Sequence, residues 1–217
     1  MRCLSTKLIS LLLSCVLLAA CSPAPQSGKP AGADFLLQGP TGQVDSHDFR
    51  GKLMLVFFGY VNCPDVCPTS LAAMNEVLSG MTPEERAKIQ PLLISVDPAR
   101  DTPESLKNYA AYFHPSLIGV TGTPEQIASI AKAFGAGYIR QPARSDGSYA
   151  VDHSANTYLV GKDGKLAATL PYGAPADDLR AAIRKALWRP PAPRVWRQGS
   201  SPCSSFCFSP ALPMPAG

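Results

Sequence analysis

Two cysteines four residues apart, Cys63 and Cys67, stand among prolines in the stretch FFGYVNCPDVCPTSL, residues 57–71. Sulfurs at that spacing can form a disulfide, share a metal ion or work as a redox pair. One helical turn sets the two Cα atoms about 6 Å apart, within disulfide range, and also lets both sulfurs face one ion. A plain staple is the weakest of the three readings. A three-residue loop hardly constrains the unfolded chain and adds less than the roughly 3 kcal/mol of a loop of about fifteen residues. Thiol–disulfide enzymes usually place two residues between their cysteines, one fewer than here. A metal would need a third ligand, and the chain has three histidines. His47, in DSHDF, reads as an exposed turn residue. His114, between a helix and Pro115, reads as a surface residue or a cation at a helix end. His153, in YAVDHSANTYLV, has Asp152 and Ser154 beside it and an apolar strand after it.

The surrounding elements give these residues their positions. KLMLVFFGY, residues 52–60, is a continuous apolar run and predicts a buried central strand ending just before the cysteines. PTSLAAMNEVLSG predicts a helix with Leu71, Met74, Val77 and Leu78 on one face and Gly80 as its stop. The pair therefore sits between strand and helix, at the carboxyl edge of a sheet, where α/β folds carry their sites. Cys67 opens that helix, so the dipole and free N–H groups are expected to lower its thiol pKa. PLLISVDP and SLIGVTG predict further strands. DTPESLKNYAAYF predicts a helix capped by Asp101 or Thr102, and TPEQIASIAKAFG one running from Thr123 to Gly135. YAVDHSANTYLVGKDGKLAATL predicts two strands joined at KDG, and PADDLRAAIRKALW a last amphipathic helix. The order gives an α/β domain with a central mixed sheet and helices on both faces.

Outside that domain the composition changes. Residues 1–20 hold Arg2 and Lys7 followed by an apolar run too short for a comfortable span, the pattern of a signal peptide. LAAC, residues 18–21, resembles a bacterial lipobox. It predicts that Cys21 becomes a lipidated N-terminus holding an exported protein on the periplasmic side of a membrane. Residues 21–33, rich in Pro, Gly and small polar residues, predict a tether. Residues 34–188 are one domain of ordinary size. Residues 189–217, Pro- and Ser-rich, predict a disordered tail. They repeat the Cys-x-x-x-Cys spacing at Cys203 and Cys207, without a strand-to-helix setting or a nearby histidine. Signal and tail carry five of the twenty Lys and Arg and none of the sixteen acids. The remainder is near neutral and offers no electrostatic footprint for nucleic acid.

FFGYVNCPDVCPTSL, LLISVDPARDTPESLKNYAAYF, GVTGTPEQI and YAVDHSANTYLV, in that order, resemble the Sco/SenC family of copper-binding, thioredoxin-like proteins. The resemblance covers residues 34–187. It implies a thioredoxin-like fold and one copper ion held by Cys63, Cys67 and His153. It also implies a role in assembling the dinuclear copper centre of cytochrome c oxidase, with the copper-site subunit of a terminal oxidase as partner. The chemistry agrees. Two soft thiolates and an imidazole suit Cu(I), which accepts three ligands, whereas structural zinc wants four. Asp65 reads either as a ligand for oxidised copper or as a solvated turn residue, and Asp152 as a residue orienting His153 or its strand. Two activities stay open: a metallochaperone, and a thiol–disulfide reductase that uses Cys63 and Cys67 as its catalytic redox pair on a partner's cysteines.

Overall fold

A strand with no polar face must be covered on both sides. The computed structural model, which describes residues 30–188, has two such strands at its centre. The first described elements are a hairpin of β1 (Leu36–Gly39) and β2 (Gly42–Asp45), followed by a 3-10 turn, Ser46–Phe49. Next come β3 (Leu53–Gly59), α1 (Val66–Ser79), α2 (Pro83–Arg86) and β4 (Ile89–Ser95). Every residue of β3 and β4 is buried. Then follow α3 (Pro103–Phe113), β5 (Ile118–Val120), α4 (Pro124–Phe134) and β6 (Tyr138–Arg140). The last described elements are β7 (Val151–His153), β8 (Thr157–Val160), β9 (Leu166–Leu170) and α5 (Ala176–Trp188).

Five strands form one mixed sheet in the order β5-β4-β3-β8-β9. β3, β4 and β5 run parallel, while β8 is antiparallel to β3 and β9 to β8. Side chains alternate across a strand. Phe58 points to one face, where its ring meets Phe134 of α4 at 5.5 Å and Tyr158 of β8 at 5.6 Å. Phe57 and Gly59 point to the other face, where a Cβ on Gly59 would lie 2.8 Å from Cys67 Sγ of α1. Helices thus cover both faces, as the sequence predicts, and α5 packs beside α1. Leu71, Met74, Val77 and Leu78 are the buried stripe of α1, and Gly80 ends it.

Three helices start on the same triplet. Thr82, Thr102 and Thr123 each precede Pro-Glu, and each hydroxyl accepts the N–H three residues on in a capping box. Of the two candidates before α3, Thr102 is the cap, and Asp101 turns inward instead.

Two parts of the sequence reading change. The predicted strand from Tyr149 into Leu159 is two strands, β7 and β8, with a break at Ser154–Asn156; β7 pairs with β6 in a separate two-stranded sheet. The hairpin at KDG joins β8 to β9 as expected. The end of the predicted tether also touches the domain: Ala31 accepts the Leu166 N–H at 2.9 Å, and the Gly32 N–H donates to Ala133 at 3.1 Å. The signal peptide, Cys21 and the tail with Cys203 and Cys207 lie outside the described residues. Among the described residues no helix is long and apolar enough to cross a membrane.

Candidate metal centre

Antiparallel pairing of β3 with β8 places Phe57 opposite Thr157. The end of β3, where the cysteine loop departs, therefore lies beside the start of β8, where His153 arrives. Topology brings together residues ninety positions apart. His153 Nε2 is 3.7 Å from Cys63 Sγ and 3.2 Å from Cys67 Sγ. All three donor atoms lie within 4.8 Å of one another. It is the only grouping of three or more His, Cys, Asp or Glu among the described residues with metal-binding geometry.

Each donor has its own support. Cys67 lies on the second residue of α1, fully buried over Gly59. Cys63 is 8% exposed and held in a turn by its N–H to the Tyr60 carbonyl. Both are free thiols. The N–H of Val61, at the loop's start, donates to the Asp101 carboxylate at 3.1 Å, and Ser95 donates to the same carboxylate at 2.7 Å. Burial pushes the Asp101 pKa up, while these two donors pull it down. The His153 ring sits edge-on to Phe57 and Tyr60. Its Nδ1 is 3.2 Å from the Ser154 carbonyl. With its proton on Nδ1 toward that carbonyl, the ring turns the Nε2 lone pair to the sulfurs, the usual arrangement of a ligating histidine.

Protonation at the centre follows burial. Desolvation pushes the Cys67 thiol far above the ordinary range, outweighing the Tyr60 N–H that favours the thiolate. Desolvation also lowers the His153 pKa, against the pull of the Ser154 carbonyl. The metal-free pair is thus a neutral thiol donating to a neutral imidazole. The helix-dipole expectation for Cys67 is overturned. The cost of burying the thiolate outweighs the pull of the helix end.

The other candidate residues fall outside the centre. Asp65 is exposed, at the N-cap of α1 without a side-chain cap bond. Asp152 is exposed and accepts from Gln141 Nε2 across the β6–β7 hairpin, so it braces its strand and makes no hydrogen bond to His153. His47 is exposed, bonded through Nδ1 to Asp45 at 2.8 Å and near Asp34 at 3.3 Å. His114 caps α3, where Nδ1 accepts the Ser116 N–H at 3.1 Å; burial lowers its pKa, so the helix-end cation reading gives way to a neutral cap. Sequence reasoning missed Gly59, Tyr60 and Asp101. Only the placement of Gly59 and Tyr60 at the end of a buried strand could have signalled them.

The chain is similar to known proteins over the whole of this domain. A model of the family described as SCO1/SenC matches residues 23–188. The structure of Bradyrhizobium japonicum ScoI with copper bound is 38% identical, with a TM-score of 0.65, covering 72% of this chain and 99% of that one. BsSco, described as a member of the Sco family of cytochrome c oxidase assembly proteins, is 25% identical with a TM-score of 0.56, covering 75% of this chain and 98% of that one. The SCO2-like protein of Rickettsia felis is 40% identical over 136 residues, which are 62% of this chain and 66% of that protein. The chain thus spans slightly less than two thirds of that relative. Fold, cysteine pair and histidine all fall inside the matched stretch, and the chain belongs to the SCO1/SenC family.

Proposed function

We propose that this protein is a copper metallochaperone. Cys63, Cys67 and His153 hold one copper ion, and the protein passes it to the copper-site subunit of a terminal oxidase. The observation that carries the reading is the convergence of two thiols and one imidazole, with no fourth His, Cys, Asp or Glu in the group. The two sulfur–nitrogen distances, 3.7 and 3.2 Å, and the span of all three donor atoms, within 4.8 Å, put them in reach of a single ion. Soft donors in a set of three favour Cu(I) over zinc. Loading must expel the Cys67 proton, so apparent affinity rises with pH. Transfer is ligand exchange: incoming thiolates of the partner replace these three donors in turn.

Lipidation of Cys21 would hold the domain at the periplasmic face of a membrane, within reach of a membrane-bound oxidase. The reductase reading is weaker. In a reductase the less buried Cys63 would attack and Cys67 resolve, and that chemistry needs no His153. The substitution His153→Ala separates the two. It should cost copper affinity heavily while the Cys63–Cys67 couple still cycles, and oxidase assembly should fail with it. Assembly that survives His153→Ala intact would favour the reductase.

A further inference from the structure

The three donors of the proposed site do not share one scaffold. Cys63 and Cys67 continue from β3 at the centre of the five-stranded sheet. His153 ends β7, which among the described residues pairs with β6 alone. Ser154–Asn156 tie His153 to β8 on one side. On the other side, among the described residues, no strand pairing joins the β6–β7 hairpin to the five-stranded sheet. Side chains do this instead.

Arg100, in the turn between β4 and α3, donates from Nη1 to the Tyr149 carbonyl at 2.9 Å. Its guanidinium carbon lies 3.6 Å from the Tyr149 ring centroid, and that of Arg140, on β6, lies 3.7 Å from the same centroid. Two groups so close to one centroid cannot share a face, so the arginines bracket the ring. The Tyr149 hydroxyl donates to Asp97 at 2.8 Å, and Asp97, buried, also pairs with Arg100 Nε. Arg100 Nη2 is buried without a hydrogen-bond partner. Tyr60 completes the set. Its hydroxyl accepts the Val151 N–H at 3.2 Å, and its ring centroid is 5.7 Å from that of His153 and 5.6 Å from the Arg100 guanidinium.

We propose that Arg100 and Tyr149 are positioning residues of the metal centre. They latch the β6–β7 hairpin to the turn after β4, and so set the distance from His153 Nε2 to the two sulfurs. This rests on the reading of Cys63, Cys67 and His153 as ligands. A latch that acts through the histidine has a signature that general packing lacks: its effect on copper binding vanishes when the histidine is gone.

The experiment measures Cu(I) affinity by competition with a chromophoric chelator, together with amide hydrogen exchange of the metal-free protein. The variants are Arg100→Lys, which keeps the charge beside Asp97, and Tyr149→Leu, each with His153 present and with His153→Ala. With His153 present, each variant should weaken copper binding by about ten- to a hundredfold, as is usual for residues that orient a ligand. With His153→Ala, neither should weaken it further. Exchange should speed up at Val151 and His153 while Leu92, Leu93 and Ile94 stay protected. Equal affinity loss with and without His153, or unchanged affinity in both variants, would overturn the latch. If His153→Ala alone leaves affinity unchanged, the ligand reading fails, and unchanged exchange at Val151 would then overturn the latch independently.

Discussion

Gly59 is the residue on which the centre rests. It ends β3 directly beneath Cys67, and a Cβ there would come within 2.8 Å of both Cys67 Sγ and Phe57 Cε1. Neither neighbour can retreat, because both are fully buried. Gly59→Ala should therefore destabilise the fold by about 1–3 kcal/mol through overpacking, and it should weaken copper binding because Cys67 Sγ has to shift. Thermal melting and Cu(I) competition on the same variant check this. A lowered melting temperature with unchanged affinity would show that Cys67 keeps its place. Asp101 supports the loop differently, through charge. It gathers the Val61 N–H and the Ser95 hydroxyl on one buried carboxylate. Asp101→Leu should leave both donors without an acceptor, at a cost of about 1–3 kcal/mol for each buried unmet group. Chemical denaturation measures it, and a loss under 1 kcal/mol would contradict it.

At the scale of elements, the cap of α3 contributes to how stability varies with pH. His114 ends α3 as a neutral imidazole that accepts the Ser116 N–H, and its pKa is lowered by burial. A group whose folded pKa lies below its unfolded value, about 6.5 for histidine, stabilises the fold above that pH. The contribution is lost as pH falls through the folded value. Asp101, with a raised pKa, has the opposite sign and loses stability as pH rises. Between about pH 7 and 5 His114 and His153, both with lowered pKa, contribute slopes of the same sign, and His114→Asn, which keeps an acceptor for Ser116, should remove the His114 share. Denaturation curves across that range test this; an unchanged slope would contradict it. The same elements show what was legible in the sequence. Caps, stops and apolar stripes are local, so α1, α3, α4 and α5 and the two buried strands could be read from spacing alone. The short α2 carries the same Thr-Pro-Glu start but has no buried residue to announce it. β1, β2 and β6 escaped too, since three- and four-residue edge strands show little periodicity. The β6–β7 pairing depends on Tyr138 meeting His153, a contact no local pattern encodes. The three candidate donors were legible because the motifs around them, in their order, resemble the family, and that resemblance implies the ligand set. Their protonation was not, because it depends on burial.

For the whole molecule, the central point is that a parallel β–α–β core and an antiparallel return deliver both sulfurs and the imidazole to one end of the sheet. α5 completes the layer beside α1 and ends at Trp188, where the family match also ends. Truncation after Trp188 should therefore leave the melting temperature, copper stoichiometry and spectra unchanged. Loss of half the tightly bound copper on truncation would instead assign a second site to Cys203 and Cys207. The most direct measurement is an anaerobic Cu(I) titration of the reduced protein followed by X-ray absorption at the copper edge. The account predicts one copper per chain with two sulfur donors and one nitrogen donor. In the His153→Ala protein the nitrogen should disappear, and with Cys63→Ser and Cys67→Ser together, tight binding should be abolished. Stoichiometric copper held by the double serine variant, or an unchanged nitrogen signal without His153, would contradict it.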